Sequence, residues 1–134
     1  MKNTFVLDAF AMLAYLQKEN GYERVRDLLS PGQGDRTIIM NAINTGEVYY
    51  ILARERSVEE ADFFIDLIVP ALKIRVELSD IHEVIAAAKI KAVCPISYAD
   101  AFATATAQKY AAILVTGDPD FKQVERLIDI EWLA

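Results

Sequence analysis

Thr4-Phe5-Val6-Leu7-Asp8 and Ala112-Ile113-Leu114-Val115-Thr116-Gly117-Asp118 decide how this chain is read. Each is a short apolar, β-branched run of the kind that forms a buried strand. Each is followed at once, or after two residues, by an aspartate. Between them the pattern alternates between helix and strand. Helical spacing covers Ala9–Lys18 and Tyr22–Leu29, and Ser30–Asp35 is a loop. Thr37–Met40 is a strand and Ala42–Arg54 a helix. Ser57-Val58-Glu59-Glu60 is a capping box that opens a helix running toward Pro70. Lys73–Leu78 alternates as a half-exposed strand, with Ile74, Val76 and Leu78 inward. Ser79-Asp80-Ile81 caps a helix to about Val93, Pro95 breaks the chain, and Ser97–Ala111 is a helix of small residues. Ile128–Leu133 is the last strand.

Strands separated by helices imply a parallel sheet covered on both faces, a three-layer α/β/α arrangement. A chain of 134 residues has room for one domain, expected over residues 1–134. Five glycines and four prolines are too few for a fibrous or disordered chain. Fourteen basic residues against 20 acidic ones give a net charge of −6, which excludes a generic electropositive nucleic-acid coat. The single cysteine, Cys94, excludes a disulfide scaffold and is expected in the core. With one Cys and one His, any bound metal must be a hard, oxygen-loving ion. No apolar run reaches the roughly 20 residues that a membrane span requires. A cytoplasmic protein without a membrane partner is expected.

In parallel sheets, ligands bind outside the carboxyl ends of the strands. That rule directs attention to Asp8 and Asp118. Two further acids lie on helices beside apolar or small neighbours. Glu47 shares a face with Ile43, Tyr50 and Ile51, and Asp100 with Ala103, Thr104 and Ala107. Each acid also has a plainer role. Asp8 suits a helix start, Glu47 an ion pair with Arg54 or Lys73, Asp100 a helix cap with Ser97, and Asp118 a turn. Gathered at one sheet edge, the four behave differently. Two charges about 5 Å apart at an effective dielectric near 20 repel by roughly 3 kcal/mol, and three mutually close ones by roughly 10 kcal/mol. A domain of this size has little more total stability than that. A divalent cation offsets the repulsion, and an all-carboxylate cage suits Mg²⁺ or Mn²⁺.

At this spacing the chain resembles the PIN-domain family of metal-dependent nucleases over nearly its whole length. The resemblance rests on Val6–Ala14, Asn44–Tyr50, Ser97–Ala105 and Val115–Phe121. Small single-domain members resemble the VapC-type toxin halves of toxin–antitoxin pairs. The resemblance implies that Asp8, Glu47, Asp100 and Asp118 bind one or two Mg²⁺ or Mn²⁺ ions. It implies an endoribonuclease acting through a metal-activated water, an antitoxin protein that covers the site, and a homodimer. Thr116 matches a position that shapes the site, and Asp120 and Ser97 are candidate supporting residues. Ala9, Phe10 and Ala11 follow Asp8 where the family often has a hydroxyl or an Asn. Asn41 stands where it often has Ser, and is a candidate to hydrogen-bond a ligand water.

Two other classes compete. A phosphotransfer domain would use Asp8 as phosphoacceptor, but Phe10 stands where such phosphatases carry a second Asp, and the loop directly after Thr116 lacks the Lys that receiver domains place there. A catalytically silent PIN-like interaction module is the other. The basic pairs Arg24/Arg26, Arg54/Arg56 and Lys89/Lys91 read as solvated faces, so weak non-specific RNA affinity is expected. Tyr49, Tyr50, Phe63 and Phe64 read as core or as a dimer surface, and His82 as exposed or capping.

Overall fold

The alternation of the buried strands divides the core. In the computed structural model, which describes residues 2–32 and 34–133, β1 (Thr4–Leu7) turns Phe5 and Leu7 to one side of the sheet and Val6 to the other. β2 (Thr37–Asn41) does the same with Ile38 and Met40 against Ile39, and β4 (Ile113–Thr116) with Val115 against Leu114. Because both faces are apolar, both must be covered, which requires helices on each side. β3 (Arg75–Glu77) and β5 (Asp129–Trp132) complete a five-stranded, all-parallel sheet of order β3-β2-β1-β4-β5.

One layer comprises α1 (Ala9–Gln17), α2 (Tyr22–Leu29), α3 (Ala42–Glu55) and α4 (Val58–Phe63). It packs Met12, Val25, Leu28, Val48 and Phe64 onto Leu7, Met40 and Val115. The helix opened by Ser57 does not stop at Pro70. It widens into a π turn over Phe64–Ile68 and continues through a short α5, Val69–Ala71. The Val69 N–H reaches back to the Phe64 carbonyl. Proline lacks a donor and crowds the carbonyl four residues behind it, and the widened turn accommodates both defects.

The opposite layer is α6 (Ile81–Val93), α7 (Tyr98–Lys109) and a 3₁₀ turn (Pro119–Val124). Every residue of α7 from Ala101 to Ala107 is buried, because the helix is enclosed by the sheet, α6 and α3. Small side chains let it approach closely. The hydroxyls of Thr104 and Thr106 donate to carbonyls one turn back, at Asp100 and Phe102, and so need no outside partner.

The strand at residues 73–78 departs from its expected alternation. Glu77 is buried at 6% exposure and Leu78 is 77% exposed. Glu77 accepts from Lys109 Nζ at 2.8 Å and from the Tyr110 hydroxyl at 2.7 Å. Burial works to raise its pKa, but those two donors overcome it and hold the carboxyl below its ordinary range. An acid with partners in reach buries more readily than the pattern of apolar residues suggests. Arg24 is likewise not a free surface cation, since it forms a two-pronged pair with Glu131. Cys94 lies in the core as expected.

Enlarging a residue in the enclosed stretch of α7 should overpack it. Ala103→Val is expected to lower unfolding free energy by about 1–3 kcal/mol in a denaturant titration.

Candidate metal centre

The strand order reverses at β1: the chain goes out to β2 and β3, then crosses back to β4 on the other side. β1 and β4 pair side by side, but the connections that follow them leave toward opposite sides of the sheet, which opens a crevice beyond their carboxyl ends. Asp8 leaves β1 there and caps α1. Its Oδ1 accepts from the Ala11 N–H at 2.8 Å, and its Oδ2 accepts from the Thr116 hydroxyl at 2.5 Å. The helix-start role is thus present, but it occupies only one oxygen. Asp118 caps the 3₁₀ turn, accepting from the Asp120 N–H at 2.9 Å, while its own N–H donates to Thr116 Oγ1 at 3.0 Å. One hydroxyl thereby ties the ends of the two strands together.

Asp100 enters from α7. The cap of that helix is Ser97, whose hydroxyl accepts from the Asp100 N–H at 3.1 Å. The Asp100 carboxyl is left facing the crevice acids, since Asp118, Glu47 and Asp120 all act on its charge. Glu47 projects from α3, half-buried. Among the described residues it has no ion pair with Arg54 or Lys73. Its polar contact is with Asn44, whose Nδ2 stands 3.5 Å from Glu47 Oε1.

The acids raise one another's proton affinity. Asp8, 3% exposed, is pushed up to about 7 by burial above all, with Asp100 and Asp118 adding repulsion against the lowering bonds from Thr116 and Ala11. Asp100 is pushed up to about 6, again by burial first and then by Asp118, Glu47 and Asp120. Glu47 is raised by burial and by Asp118. The four acids expected from sequence are therefore electrostatically coupled at one sheet edge.

Asp120 belongs with them more closely than its reading as a supporting residue implied. One oxygen each of Asp100, Asp118 and Asp120 lie within 4.8 Å of one another. The spacing Asp118-Pro119-Asp120 is the available signal, because a tight turn points both acids the same way. Asn41 behaves differently. Its Oδ1 accepts from the Ile43 N–H, and its Nδ2 donates to the Ser79 and Thr106 hydroxyls, so it braces α3 against α7 rather than addressing the acids. The asparagine beside the acids is Asn44. It is fully buried, donates to the Ala99 carbonyl at 3.1 Å, and keeps a buried Oδ1 that has no partner among the described residues. Its place three residues before Glu47, on the same helix face, was the signal.

A set of carboxylate oxygens without sulfur or imidazole fits a hard divalent ion such as Mg²⁺ or Mn²⁺. It fits a zinc or copper ion poorly.

These features define an α/β/α domain of parallel strands with an acidic crevice at its topological switch point. The family model described as PIN domain matches residues 5–127, and the chain belongs to that family. No curated protein sequence matches the chain. Among solved structures, it is similar to VapBC2 from Rickettsia felis bound to a DNA fragment from their promoter, with 16% identity and TM-score 0.74 over 98% of this chain and 99% of that one. FitAcB from Neisseria gonorrhoeae matches with 20% identity and TM-score 0.71, covering 94% and 95%. VapC20 from Mycobacterium tuberculosis, a sarcin-ricin loop cleaving toxin, matches with 17% identity and TM-score 0.68, covering 88% and 92%.

The raised acids make stability depend on pH with a definite sign. A carboxyl whose folded pKa lies above its unfolded value stabilises the fold while protonated, and that stability is lost as pH rises through the folded value. Metal-free protein should therefore lose melting temperature between about pH 4 and pH 7, the interval from the ordinary aspartate value to that of Asp8. Asp100→Asn should raise the melting temperature in EDTA at pH 8 and flatten this dependence. Mn²⁺ should raise that of the unsubstituted protein at the same pH. Differential scanning fluorimetry reads all three.

Proposed function

We propose that this protein is a metal-dependent endoribonuclease and the toxin of a toxin–antitoxin pair. The observation that carries the reading is the convergence of Asp8, Glu47, Asp100 and Asp118, joined by Asp120, on one crevice from four separate segments. Buried acids that repel one another are tolerated when a divalent ion neutralises them. When bound, Mg²⁺ or Mn²⁺ supplies an acidified water for attack on an RNA phosphodiester and offsets charge developing on the phosphate.

The chain's own residues set the conditions for that chemistry. Asp8 presents a carboxylate fixed on both oxygens, by Ala11 and by Thr116, so its direction is settled before anything binds. Asp100, Asp118 and Asp120 offer the least constrained oxygens, clustered closely enough to share one ion. Glu47 couples to Asp118 and Asp100 from α3, with Asn44 Nδ2 at 3.5 Å as its neighbour, and Asn44 also anchors the start of α7 through Ala99. Glu47 and Asp100, both partly exposed and both raised in pKa, are the acids placed to hold a proton near the crevice mouth.

Two surfaces support the protein partners. A groove of about 410 Å³ between α1, α3 and the α4–π segment is lined by Leu16, Leu52, Phe63 and Ile68 and rimmed by Arg56 and Glu59. Its apolar floor and mixed-charge rim suit an antitoxin segment. On the other layer Ile81 and Ile85, one turn apart on α6, are exposed next to Leu78, apolar side chains that a second copy in a homodimer would cover. No helix among the described residues is long and apolar enough to cross a membrane.

Purified protein should cleave single-stranded RNA with Mn²⁺ and not with EDTA, and Asp8→Asn and Asp100→Asn should abolish cleavage. Equal survival of the RNA with all three proteins in Mn²⁺ would favour a silent interaction module instead. Asn44→Ala, which removes the polar neighbour of Glu47, should lower Mn²⁺ affinity or cleavage by about 10–100-fold, the range for groups that hold metal ligands in place.

A further inference from the structure

Phe10 is a large apolar side chain in the first turn of α1, two residues after Asp8, yet it remains 43% exposed. Its ring rests on the backbone of Gly117, between Thr116 and Asp118. A Cβ added at Gly117 would stand 2.7 Å from the ring's Cζ and closer still to Cε1. Gly117 is not among the positive-φ glycines, which are Gly21, Gly32 and Gly34. Backbone conformation therefore does not require a glycine there. Space for the ring does.

The sequence thus gives up a side chain in order to seat an aromatic ring beside Asp8 and Asp118. Two other exposed aromatics have company, while Phe63 and Trp132, like Phe10, have none among the described residues but line grooves that hold none of the crevice acids. Tyr98 packs on Phe102 at 5.1 Å between ring centres, and Tyr50 lies under the Arg54 guanidinium at 5.3 Å. Among the described residues no aromatic ring or cation lies over Phe10 in this way.

We propose that Phe10 is a stacking platform for a base of single-stranded RNA next to the acidic crevice. The inference rests on the ribonuclease reading and adds to it the means by which the substrate is held. A chain of net charge −6 has little general attraction for a polyanion. Stacking supplies affinity without positive charge, and it works on any base because every base has a π face. The ring sits on Gly117, one residue before Asp118, and its own backbone is two residues after Asp8, so a nucleotide stacked on it lies beside the carboxylate cluster.

The test uses a short, labelled, mixed-sequence single-stranded RNA. Fluorescence anisotropy is measured with Mn²⁺ in an Asp100→Asn background, and cleavage in the unsubstituted background. Phe10→Leu, which keeps an apolar group on Gly117, should weaken binding and raise KM by about 5- to 150-fold, the fold-change equivalent to the stacking of one base. It should leave the melting temperature and the salt dependence of binding unchanged. Phe10→Trp should restore binding. Gly117→Ala, which pushes the ring aside, should weaken binding and add little to Phe10→Leu. If Phe10→Leu binds and cleaves RNA like the unsubstituted protein, the stacking role is overturned while the nuclease reading stands. If no protein cleaves but binding depends on Phe10 in the expected order, the stacking role stands and the nuclease reading falls. Absence of both binding and cleavage overturns both.

Discussion

The Thr116 hydroxyl holds the crevice together. It donates to Asp8 at the end of β1 and accepts from the Asp118 backbone beyond β4. These two strands flank the reversal of strand order, where helix connections depart in opposite directions and the sheet has no chain above it. Backbone pairing already holds the two strands side by side as far as Leu7 and Val115, and this hydroxyl extends the link to the aspartates just beyond them. With it, one stays fully oriented and the other caps the turn that carries Asp120. The arrangement buries carboxyls and sets like charges beside them, and the pKa values of Asp8 and Asp100 are raised by that burial first and by the neighbouring acids second.

That arrangement is supported by the packing beneath it. α7 can bring Asp100 to the sheet edge because its buried residues are nearly all alanine and threonine, which let it sit deep between the sheet, α3 and α6. Asn41 and Asn44 then fix α3 to the same neighbourhood from two directions. Asn41 bonds to β3's exit loop and the middle of α7, and Asn44 to the start of α7. The acids are thus presented by rigid elements, as a site needs when its ligands repel each other.

The strand and helix order was legible in the sequence because the buried strands are short, apolar and separated by helices with clear caps. The crevice acids at the strand ends were legible for the same reason, since topology alone sends Asp8 and Asp118 to one edge. Departures arose where a local pattern meets a tertiary partner. The alternation at Lys73–Leu78 places Glu77 outward, but Lys109 and Tyr110, more than thirty residues on, make its burial favourable. Pro70 reads as a stop, yet a π turn lets the helix pass it. Asn41 and Asn44 differ in role only through what faces them across space, and one sequence does not list those neighbours. Asp120 shows the same limit, because a turn-forming residue and a clustered carboxylate look alike in sequence.

The bond from Thr116 to Asp8 joins positions 108 residues apart. On the ribosome, the first aspartate therefore emerges long before the strand that must dock beside it. Until β4 is made and inserts next to β1, the nascent polypeptide carries scattered acids and no assembled pocket. A prematurely terminated product that lacks β4 also lacks Thr116, Asp118 and Asp120, so the pocket exists only once synthesis has passed that strand.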